Sequence, residues 1–447
     1  MIEYVDIFRE EAKSLFQSFK NNDETAVARC AKVFGDKKDL TLMNIQHVIA
    51  KEYGFNQWKD IIEAQKWDLA GALNKVQNAG LSSPLKIWYG DDNLFYSTAE
   101  RFGISGSNVG ERLDLINFQE KWGNDVSSYI HINNSDVSYA DLSKLDVSKA
   151  TFDEWTIWPE DKAMMPKNFN PREFLAKRKN PGLGIRELHK LNIDGRGRNV
   201  AIISNESLRP HLEYRESLAD YVDLSTQKEE LVSFGWDVAI VAGSTCGVAP
   251  KAKVYCYHID SKYKNHLGNL SQQIEAIERI CALHKKLLSE GKNGIDVILI
   301  PHMMSSDDKL RKVIYDATEL GIYVNDITRD AARERAVECI MYGDVNNPLD
   351  YRLHKSTRYR AFQAKYALCM VGFGQTIPCQ YTIGSYLFNT TSDMMKSWQS
   401  GLFVLCRSVK PDLTPDEFWQ LGIETGDFRE GIGTIVNPKR LIEALRR

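Results

Sequence analysis

The stretch FGWDVAIVAGSTCGVAPKAKVYCY, residues 234–257, decides the fold that this sequence predicts. Its first half is apolar enough for a buried helix, its middle carries the glycines of a tight turn, and its second half is rich in strand-forming residues. We therefore expect a helix, a turn and a buried strand in direct succession. Such a unit fits a sheet that is covered by helices.

The same succession of elements extends along the C-terminal part of the chain, residues 176–447. Strands that alternate with helices form a parallel sheet with helices on both faces. The sequence thus predicts an α/β domain with a mostly parallel sheet between helices. Strands are expected at 199–203, 254–257, 295–300 and 321–324, and helices at 238–241, 270–290 and 310–320.

The N-terminal part, residues 1–66, predicts a small α-helical domain. Apolar side chains recur there at helical spacing, and the segment closes with AKEYGFNQW, residues 50–58. This closing segment resembles a helical module found in front of bacterial ankyrin-repeat proteins, which implies a docking or packing role rather than chemistry. Tyr53, Phe55 and Trp58 are either core residues of the module or a recognition patch.

Residues 67–175 predict a mixed, partly β middle domain. Within it, residues 130–159 have small or apolar side chains at every fifth place, each followed two places on by a second apolar residue. The pattern resembles pentapeptide repeats, which form a square right-handed β-helix, and so few units would have to pack on something else. An ordinary alternating strand pair explains the pattern equally well. The period comprises Ser135, Ala140, Leu145 and Ala150, followed by Val137, Leu142, Val147 and Phe152.

Composition disfavours several classes of partner. The net charge is −3, and Lys and Arg are scattered along the 447 residues, which argues against binding to nucleic acid or to an anionic membrane. No apolar run approaches the roughly 20 residues of a membrane span, and the acidic N-terminus is unlike a signal peptide. The eight cysteines are dispersed without a CxxC pair, which predicts reduced core residues of a cytoplasmic protein, with no metal and no cofactor.

Three segments of the C-terminal domain resemble subtilisin-like serine peptidases, the subtilases. Residues 180–203 are similar to the helix and first buried strand of that family, and residues 247–255 to the segment after its catalytic-histidine helix. Residues 401–418 are similar to the helix after its nucleophile and the Pro-x-Leu-Thr-Pro-x-Glu turn behind it. The resemblance implies a subtilisin-like fold for this domain.

The resemblance also implies three catalytic places, whose residues here do not match the chemistry of the family. A serine protease needs a hydroxyl, a neutral imidazole and a carboxylate in series. The aspartate of the family falls at Ser204, and its histidine falls at Phe234, whose ring neither accepts nor donates a proton. The nucleophile falls at Asp393 when counted back from Gly401, and at Ser392 when the local Thr-Ser pair is matched.

The oxyanion and substrate places of the family are altered as well. Ungapped counting puts Asp330 at the oxyanion asparagine, with Asn325 earlier in the strand, and a carboxylate there would repel a developing oxyanion. The segment that pairs with an extended peptide in the family is replaced by PHMM, residues 301–304, whose proline lacks a backbone donor. The binding candidates are Asp237, His302, Met303 and Met304.

The sequence offers two alternative sources of catalysis. Sedolisins, acidic relatives on the same fold, replace the imidazole with a glutamate and use an aspartate at the oxyanion place. Asp330 fits that pattern, but Ser233 stands where their glutamate is required. Alternatively, His211 could act as a base, although the same spot in subtilases is usually a structural turn.

A cation site is a further alternative. Asp237, Asp393, Asp330 and Glu206 could hold a cation if their carboxylates converged, although such residues near a sheet edge are commonly solvated. Glu206 lies two residues after Ser204, and alternation along the strand predicts that its side chain points to other surroundings or to solvent.

These observations predict a bacterial pseudoenzyme. Losing one triad member costs a working enzyme orders of magnitude in rate, and two places of the triad carry the wrong residue types. We expect the protein to bind a protein or peptide at the old cleft or to scaffold a partner. The alternatives are a serine hydrolase with a rearranged site that uses Ser392, and a structural subunit of an assembly.

Overall fold

In the computed structural model, the described residues are 4–83, 85, 130–133, 136–147, 150–154, 156–226, 232–233, 235–262, 267–301, 307–326, 336–341, 343–353, 368–378, 385–389 and 394–447. The helices within them are α1 (Tyr4–Lys20), α2 (Glu24–Phe34), α3 (Leu42–Glu52), α4 (Trp58–Glu63), α5 (Lys66–Gln77), α6 (Pro171–Arg178), α7 (Ile185–Lys190), α8 (Trp236–Ala242), α9 (Leu270–Ser289), α10 (Asp308–Glu319), α11 (Met395–Val409), α12 (Pro415–Thr425) and α13 (Pro438–Leu445). The strands are β1 (Ile130–His131), β2 (Ala150–Asp153), β3 (Asn199–Ser204), β4 (Ser207–Leu208), β5 (Leu218–Asp223), β6 (Val232–Ser233), β7 (Lys253–His258), β8 (Ser261–Lys262), β9 (Leu267–Gly268), β10 (Val297–Ile300), β11 (Tyr323–Asp326), β12 (Ala336–Met341), β13 (Tyr351–Leu353), β14 (Leu368–Phe373), β15 (Gln375–Pro378), β16 (Tyr386–Asn389), β17 (Asp427–Arg429) and β18 (Gly433–Ile435).

The first five helices share one hydrophobic core. Each is amphipathic, and side chains such as Phe8 and Ile49 are fully buried where the helices meet. Tyr53 is buried with its ring edge against Phe8, and Phe55 and Trp58 pack against the same core. These three aromatic residues therefore belong to the core of the helical module.

Buried ion pairs join this helical core to the C-terminal part of the chain. The Glu11 carboxylate lies 2.7 Å from Arg29 and 2.5 Å from Arg215, and the Tyr53 hydroxyl donates to it at 2.6 Å. Burial opposes ionisation of Glu11, but Arg215 and Arg29 outweigh it and lower the pKa of the carboxyl. The module is therefore packed onto the C-terminal domain through a carboxylate that both arginines share.

The stretch with the five-residue period forms a small core of its own. Ile130 in β1 pairs in parallel with Ala150 in β2, twenty residues later. The described apolar residues of the period point into this core, and only Val147 among them is half-buried. Strand β2 also pairs with β16, with Phe152 opposite Phe388, so the stretch packs on the C-terminal domain. A β-helical repeat stays a prediction.

A five-stranded parallel sheet forms the centre of the C-terminal domain, with the strand order β11, β10, β3, β7, β5. Val200 and Ile202 point to the face that α8 and α11 cover, and Ala201 and Ile203 point to the face that α9 and α10 cover. Strands buried on both faces need such continuous apolar runs. The predicted α/β class, with a mostly parallel sheet between helices, is confirmed.

Two glycines allow the elements around the sheet edge to approach closely. Gly235 precedes α8 with a φ of +65°, and a Cβ there would lie 2.5 Å from the Tyr214 ring. Gly401 lies where α11 crosses the turn after α8, and a Cβ there would lie 2.6 Å from Val248. Both glycines are needed because no larger residue fits at either place.

The strand bounds differ slightly from the predicted ones. The strand expected at 295–300 begins at Val297, and the one expected at 321–324 runs over Tyr323–Asp326. Gly321 has a φ of +80°, which turns the chain after α10 and delays the strand by two residues. The shift places Asn325 and Asp326 inside the sheet.

A buried ion cluster closes the amino end of the sheet. Asp296 lies 3.3 Å from Arg198 and 3.4 Å from Arg407, and all three side chains are largely buried. The Asn199 N–H donates to the same carboxylate at 3.3 Å, and Arg407 also donates to the Gly321 carbonyl. Since Arg407 lies on α11, the cluster ties that helix to the base of the sheet.

Candidate functional site

The carboxyl ends of three central strands bring three polar residues into one row. Ser204 ends β3, His258 ends β7 and Asp223 ends β5, and the register pairs Ser204 with His258 and His258 with Asp223. Side chains alternate along a strand, so all three share the face that α8 and α11 cover. Open α/β sheets bind their ligands outside this edge, which makes the row the candidate site.

A small pocket opens at this edge of the sheet. Its lining residues include Ser204, Glu206, Asp237 and His258, but the surface exposed inside the pocket is almost entirely apolar. Its empty volume is about 290 Å³, and the space at its centre takes about one water-sized group. The other lining residues are Ile202, Leu208, Tyr221, Gly235, Val238, Cys256 and Tyr257.

Asp223 fixes the imidazole of His258. The two side chains meet at 2.8 Å through Nδ1, and the Tyr221 ring stacks parallel to the imidazole. A carboxylate only accepts hydrogen bonds, so the neutral ring carries its proton on Nδ1 and presents Nε2 as an acceptor. His258 is only 2 % exposed, and within the described part of the chain Nε2 has no hydrogen-bond partner.

The hydroxyl of Ser204 is not bonded to that imidazole. Its oxygen accepts the Glu206 N–H at 3.2 Å, and no described residue supplies an imidazole within hydrogen-bonding distance. Glu206 lines the same pocket as Ser204, contrary to the expectation from alternation. The expectation was wrong because residues two apart on a strand share a face, so alternation itself places Glu206 on the same side as Ser204.

Asp237 links the two helices above the pocket. It lies in the first turn of α8 and accepts a hydrogen bond from the Ser397 hydroxyl in the first turn of α11. Burial raises the pKa of the neighbouring Cys256 thiol, and the negative charges of Asp237 and Asp220 raise it further.

Asn325 does not act as an oxyanion donor in this arrangement. It is fully buried in β11, and its Nδ2 donates to the Lys396 carbonyl at 3.0 Å and to the Ser400 hydroxyl at 2.9 Å. Both of its donors therefore hold α11 against the sheet. An oxyanion donor has to be free for the reacting atom.

His211 has a structural role rather than that of a base. Its Nδ1 accepts the Glu213 N–H at 3.0 Å, which leaves Nε2 to donate to the Ser385 carbonyl at 3.0 Å. Burial lowers the pKa of His211 to about 4, although the Glu213 carboxylate opposes the shift. A base that is bonded at both nitrogens cannot take a proton from a serine.

Several predicted site residues lie outside the described residues, and their roles stay predictions. Asp237 and Ser204 are the two that the structure brings to one pocket. The residues outside are Phe234, the oxyanion candidate Asp330, both nucleophile candidates Ser392 and Asp393, and the binding candidates His302, Met303 and Met304.

The described residues also bear on the expectations about metal sites, cysteines and membrane spans. Among them, no three His, Cys, Asp or Glu side chains are grouped so that they could hold a metal ion. The described cysteines are free thiols, most of them buried. Within the same ranges, no helix is long and apolar enough to cross a membrane.

Sequence reasoning missed His258, Asp223 and Ser397. His258 is the last residue of a buried strand, and open α/β sheets bind ligands outside the carboxyl ends of such strands, so the end of the predicted strand at 254–257 was the signal that could have found it. Strand β5, LADYVD, is half polar and gave no such signal. The partnership of Ser397 with Asp237 joins residues that are distant in sequence, which no local pattern reports.

The sequence matches no protein-family model and no curated protein. Solved structures that are similar to the chain include three at low identity, each covered over 98 % of its own length. The prenylagaramide maturation protease PagA is 16 % identical over 59 % of this chain, with a TM-score of 0.40. A protease from Pseudoalteromonas arctica is 16 % identical over 62 % of this chain (TM-score 0.42), and the A-subunit of the AB5 toxin from E. coli is 11 % identical over 60 % (TM-score 0.42). Similarities as low as these give no information about activity. Any function therefore has to follow from the residues of this chain.

Proposed function

We propose that this chain binds a protein or peptide at the carboxyl edge of its central sheet and does not cleave it by a subtilisin-type relay. The observation that carries the proposal concerns Ser204. The strand end where the family needs a carboxylate carries a hydroxyl, which accepts the Glu206 N–H and meets no imidazole among the described residues. A hydroxyl cannot stabilise an imidazolium as the aspartate of a triad does.

The other side chains that could take part in a proton relay are already bonded to other residues of the protein. Asp237 is bonded to Ser397, and Asn325 holds the start of α11. His211 is bonded at both ring nitrogens. Each of these side chains would have to leave a buried partner in order to act on a substrate, and an abandoned buried partner costs about 1–3 kcal/mol.

The contacts that fix α8 and α11 also favour the binding of a ligand at this edge of the sheet. The α8 and α11 helices are fixed to each other above the pocket, and α11 is fixed to the base of the sheet through Arg407. A ligand at this edge meets a surface that is already ordered, so little conformational entropy is lost when it binds. A domain that lacks the proton relay therefore still has a preorganised cleft.

Two measurements on the purified full-length protein test the proposal. A fluorophosphonate probe, which labels activated serines, is expected to label the protein no more than a heat-denatured sample. A pool of capped random nonapeptides is expected to yield bound peptides that mass spectrometry finds intact. Labelling that disappears in Ser392→Ala would overturn the proposal in favour of a hydrolase with a rearranged site.

One observation favours a second candidate, a hydrolase whose serine is Ser204. Asp223, His258 and Ser204 place a carboxylate, an imidazole and a hydroxyl in order across three adjacent strands. Rotation of the Ser204 side chain toward Nε2 would be needed to complete such a series. Fluorophosphonate labelling that disappears in Ser204→Ala and persists in Ser392→Ala would support this candidate.

A further inference from the structure

Strand β5 carries Asp223 and stands at one edge of the central sheet. Within the described part of the chain the strand order ends there, so β5 pairs with β7 on one side only. An uncovered edge strand exposes a row of backbone donors and acceptors. Here the chain that leaves α5 covers part of that row, because the Ser83 N–H donates to the Tyr221 carbonyl at 2.8 Å and the Asp223 N–H donates to the Ser83 hydroxyl at 3.1 Å. A segment from the N-terminal part therefore takes the place of a neighbouring strand.

One extra residue in β5, Ala219, decides which side chain stands opposite His258. The register of β5 against β7 shifts by one residue at this place, as in a β-bulge, and beyond it Asp223 pairs with His258. Without the extra residue, Val222 would stand opposite His258. Because side chains alternate along a strand, Asp223 would then point to the other face of the sheet. The contact between the carboxylate and the imidazole therefore depends on the bulge.

The residue after the bulge, Asp220, is held from the N-terminal part of the chain. One oxygen of its carboxylate accepts the Ser82 N–H at 2.7 Å, and the other accepts the Ser82 hydroxyl at 2.7 Å. Hydrogen bonds to an ionised acceptor are roughly twice as strong as those between neutral groups. The two bonds therefore fix the place in β5 where the register shifts.

The segment that carries the two serines is itself anchored. Asn78, which follows α5, accepts the Leu85 N–H at 2.6 Å, and both Leu81 and Leu85 pack in the core of the C-terminal domain. Three residues before β5 begins, Arg215 forms its ion pair with Glu11 of α1. The N-terminal helices and the segment after them therefore hold β5 both at its start and along its outer edge.

From these contacts, we propose that Ser82 and Asp220 are positioning residues of the candidate site. Together with Ser83, they hold the register of β5 in which Asp223 faces His258. The N-terminal part of the chain then does more than dock, because the segment that leaves α5 determines which side chain meets the imidazole. This inference goes beyond the proposed function and needs no bound peptide, since it concerns the folded chain alone.

The ring nitrogens of His258 report the register directly. In the full-length protein with isotope-labelled histidine, long-range proton–nitrogen NMR spectra show which nitrogen of a neutral imidazole carries the proton. The His258 signal is the one that is absent from His258→Gln. We expect the proton on Nδ1 and slow exchange of that proton with water, because the Asp223 carboxylate accepts it.

Point variants test the positioning residues. Ser82→Ala removes one of the two bonds to Asp220, and Asp220→Ala removes both. We expect the Nδ1 proton of His258 to exchange about fivefold faster in the first variant and at least about tenfold faster in the second, because lost hydrogen bonds favour local opening of the strand. Unchanged exchange in both variants would overturn the proposal, whatever stability they lose in urea.

Two matched variants serve as controls. Ser82→Thr keeps the hydroxyl and is expected to keep the exchange rate of the His258 proton. Ser289→Ala removes a hydroxyl that donates to the Lys286 carbonyl at the exposed end of α9, and it is expected to leave the rate unchanged as well. Faster exchange in Ser289→Ala, equal to that in Ser82→Ala, would show that the effect is not specific to β5 and would overturn the proposal.

Deletion of Ala219 tests the register itself. The deletion is expected to put Val222 opposite His258, so the His258 signals should match those of Asp223→Val, which lacks the carboxylate. A deletion variant that keeps the proton on Nδ1 with slow exchange would overturn the proposal. If this variant does not fold, Ser82→Ala and Asp220→Ala decide, because they leave the length of the strand unchanged.

Discussion

The two ends of the central sheet carry similar polar groups and use them differently. At the amino end, the Asp296 carboxylate is paired with two arginines and buried between the sheet and α11. At the carboxyl end, Glu206 and Asp237 line a pocket to which no described Lys or Arg contributes. The difference teaches that arginine pairs close the amino end of the sheet, whereas at the carboxyl end a bond between two helices, from Ser397 to Asp237, lies beside a small pocket.

The largest expected effect is on stability, at the amino end. Asp296→Asn removes the charge between Arg198 and Arg407 and leaves two buried guanidinium groups without a counter-charge. Breaking a buried ion pair by removing one partner typically costs about 3–5 kcal/mol. Urea unfolding should show a loss of that size, while the folded variant still recovers the same peptides from the nonapeptide pool. The same change at exposed Asp412 is the control, and an equal loss there would contradict the assignment.

The buried imidazole of His211 gives the next largest effect. His211 is bonded at both nitrogens, and its pKa of about 4 lies below its ordinary value near 6.5. The unfolded chain therefore takes up a proton that the folded chain refuses, and stability falls as the pH is lowered from about 6.5 to 4. Each pH unit in this window is worth about 1.4 kcal/mol, so the total is about 3 kcal/mol.

His211→Asn isolates this contribution. The Asn side chain can still accept the Glu213 N–H but does not titrate. We expect the difference in unfolding free energy between the protein and the variant to shrink by about 3 kcal/mol between pH 6.5 and pH 4. A constant difference over this range would show that the His211 ring is not held neutral by burial.

The smallest expected effect is at the carboxyl end. Ser204→Ala removes one acceptor from the pocket and fills no new space, so unfolding should change by less than about 1 kcal/mol. The surface inside the pocket is almost entirely apolar, so a nonapeptide recovered from the pool should bind the variant within about threefold of its affinity for the unchanged protein. Urea unfolding and titration calorimetry check this. A loss of stability as large as that of Asp296→Asn would contradict the difference between the two ends of the central sheet.

The strands and turns of the C-terminal domain could be predicted from the sequence because they depend on local patterns of residues. Apolar runs located β3, β7 and β10 within a few residues, and the glycines after α8 marked the tight turn before β7. The place of Ser204 followed from the resemblance to subtilases, at the end of one such run. These features depend on residues that are close in sequence, so they can be recognised in a single sequence.

The composition of the pocket could not be predicted because it depends on register. His258 meets Asp223 only because β5 pairs with β7 in one particular alignment, which includes an irregularity between Leu218 and Asp220. The bond between Asp237 and Ser397 depends on how two helices cross.

The most direct test of a cleft that binds without cutting is the state of the peptide it holds. A nonapeptide recovered from the pool is incubated with the full-length protein for a day, recovered from the complex and measured by mass spectrometry. The account predicts that the peptide is recovered whole and in stoichiometric amount. Fragments that accumulate with time, and that disappear in Ser204→Ala or Ser392→Ala, would contradict it.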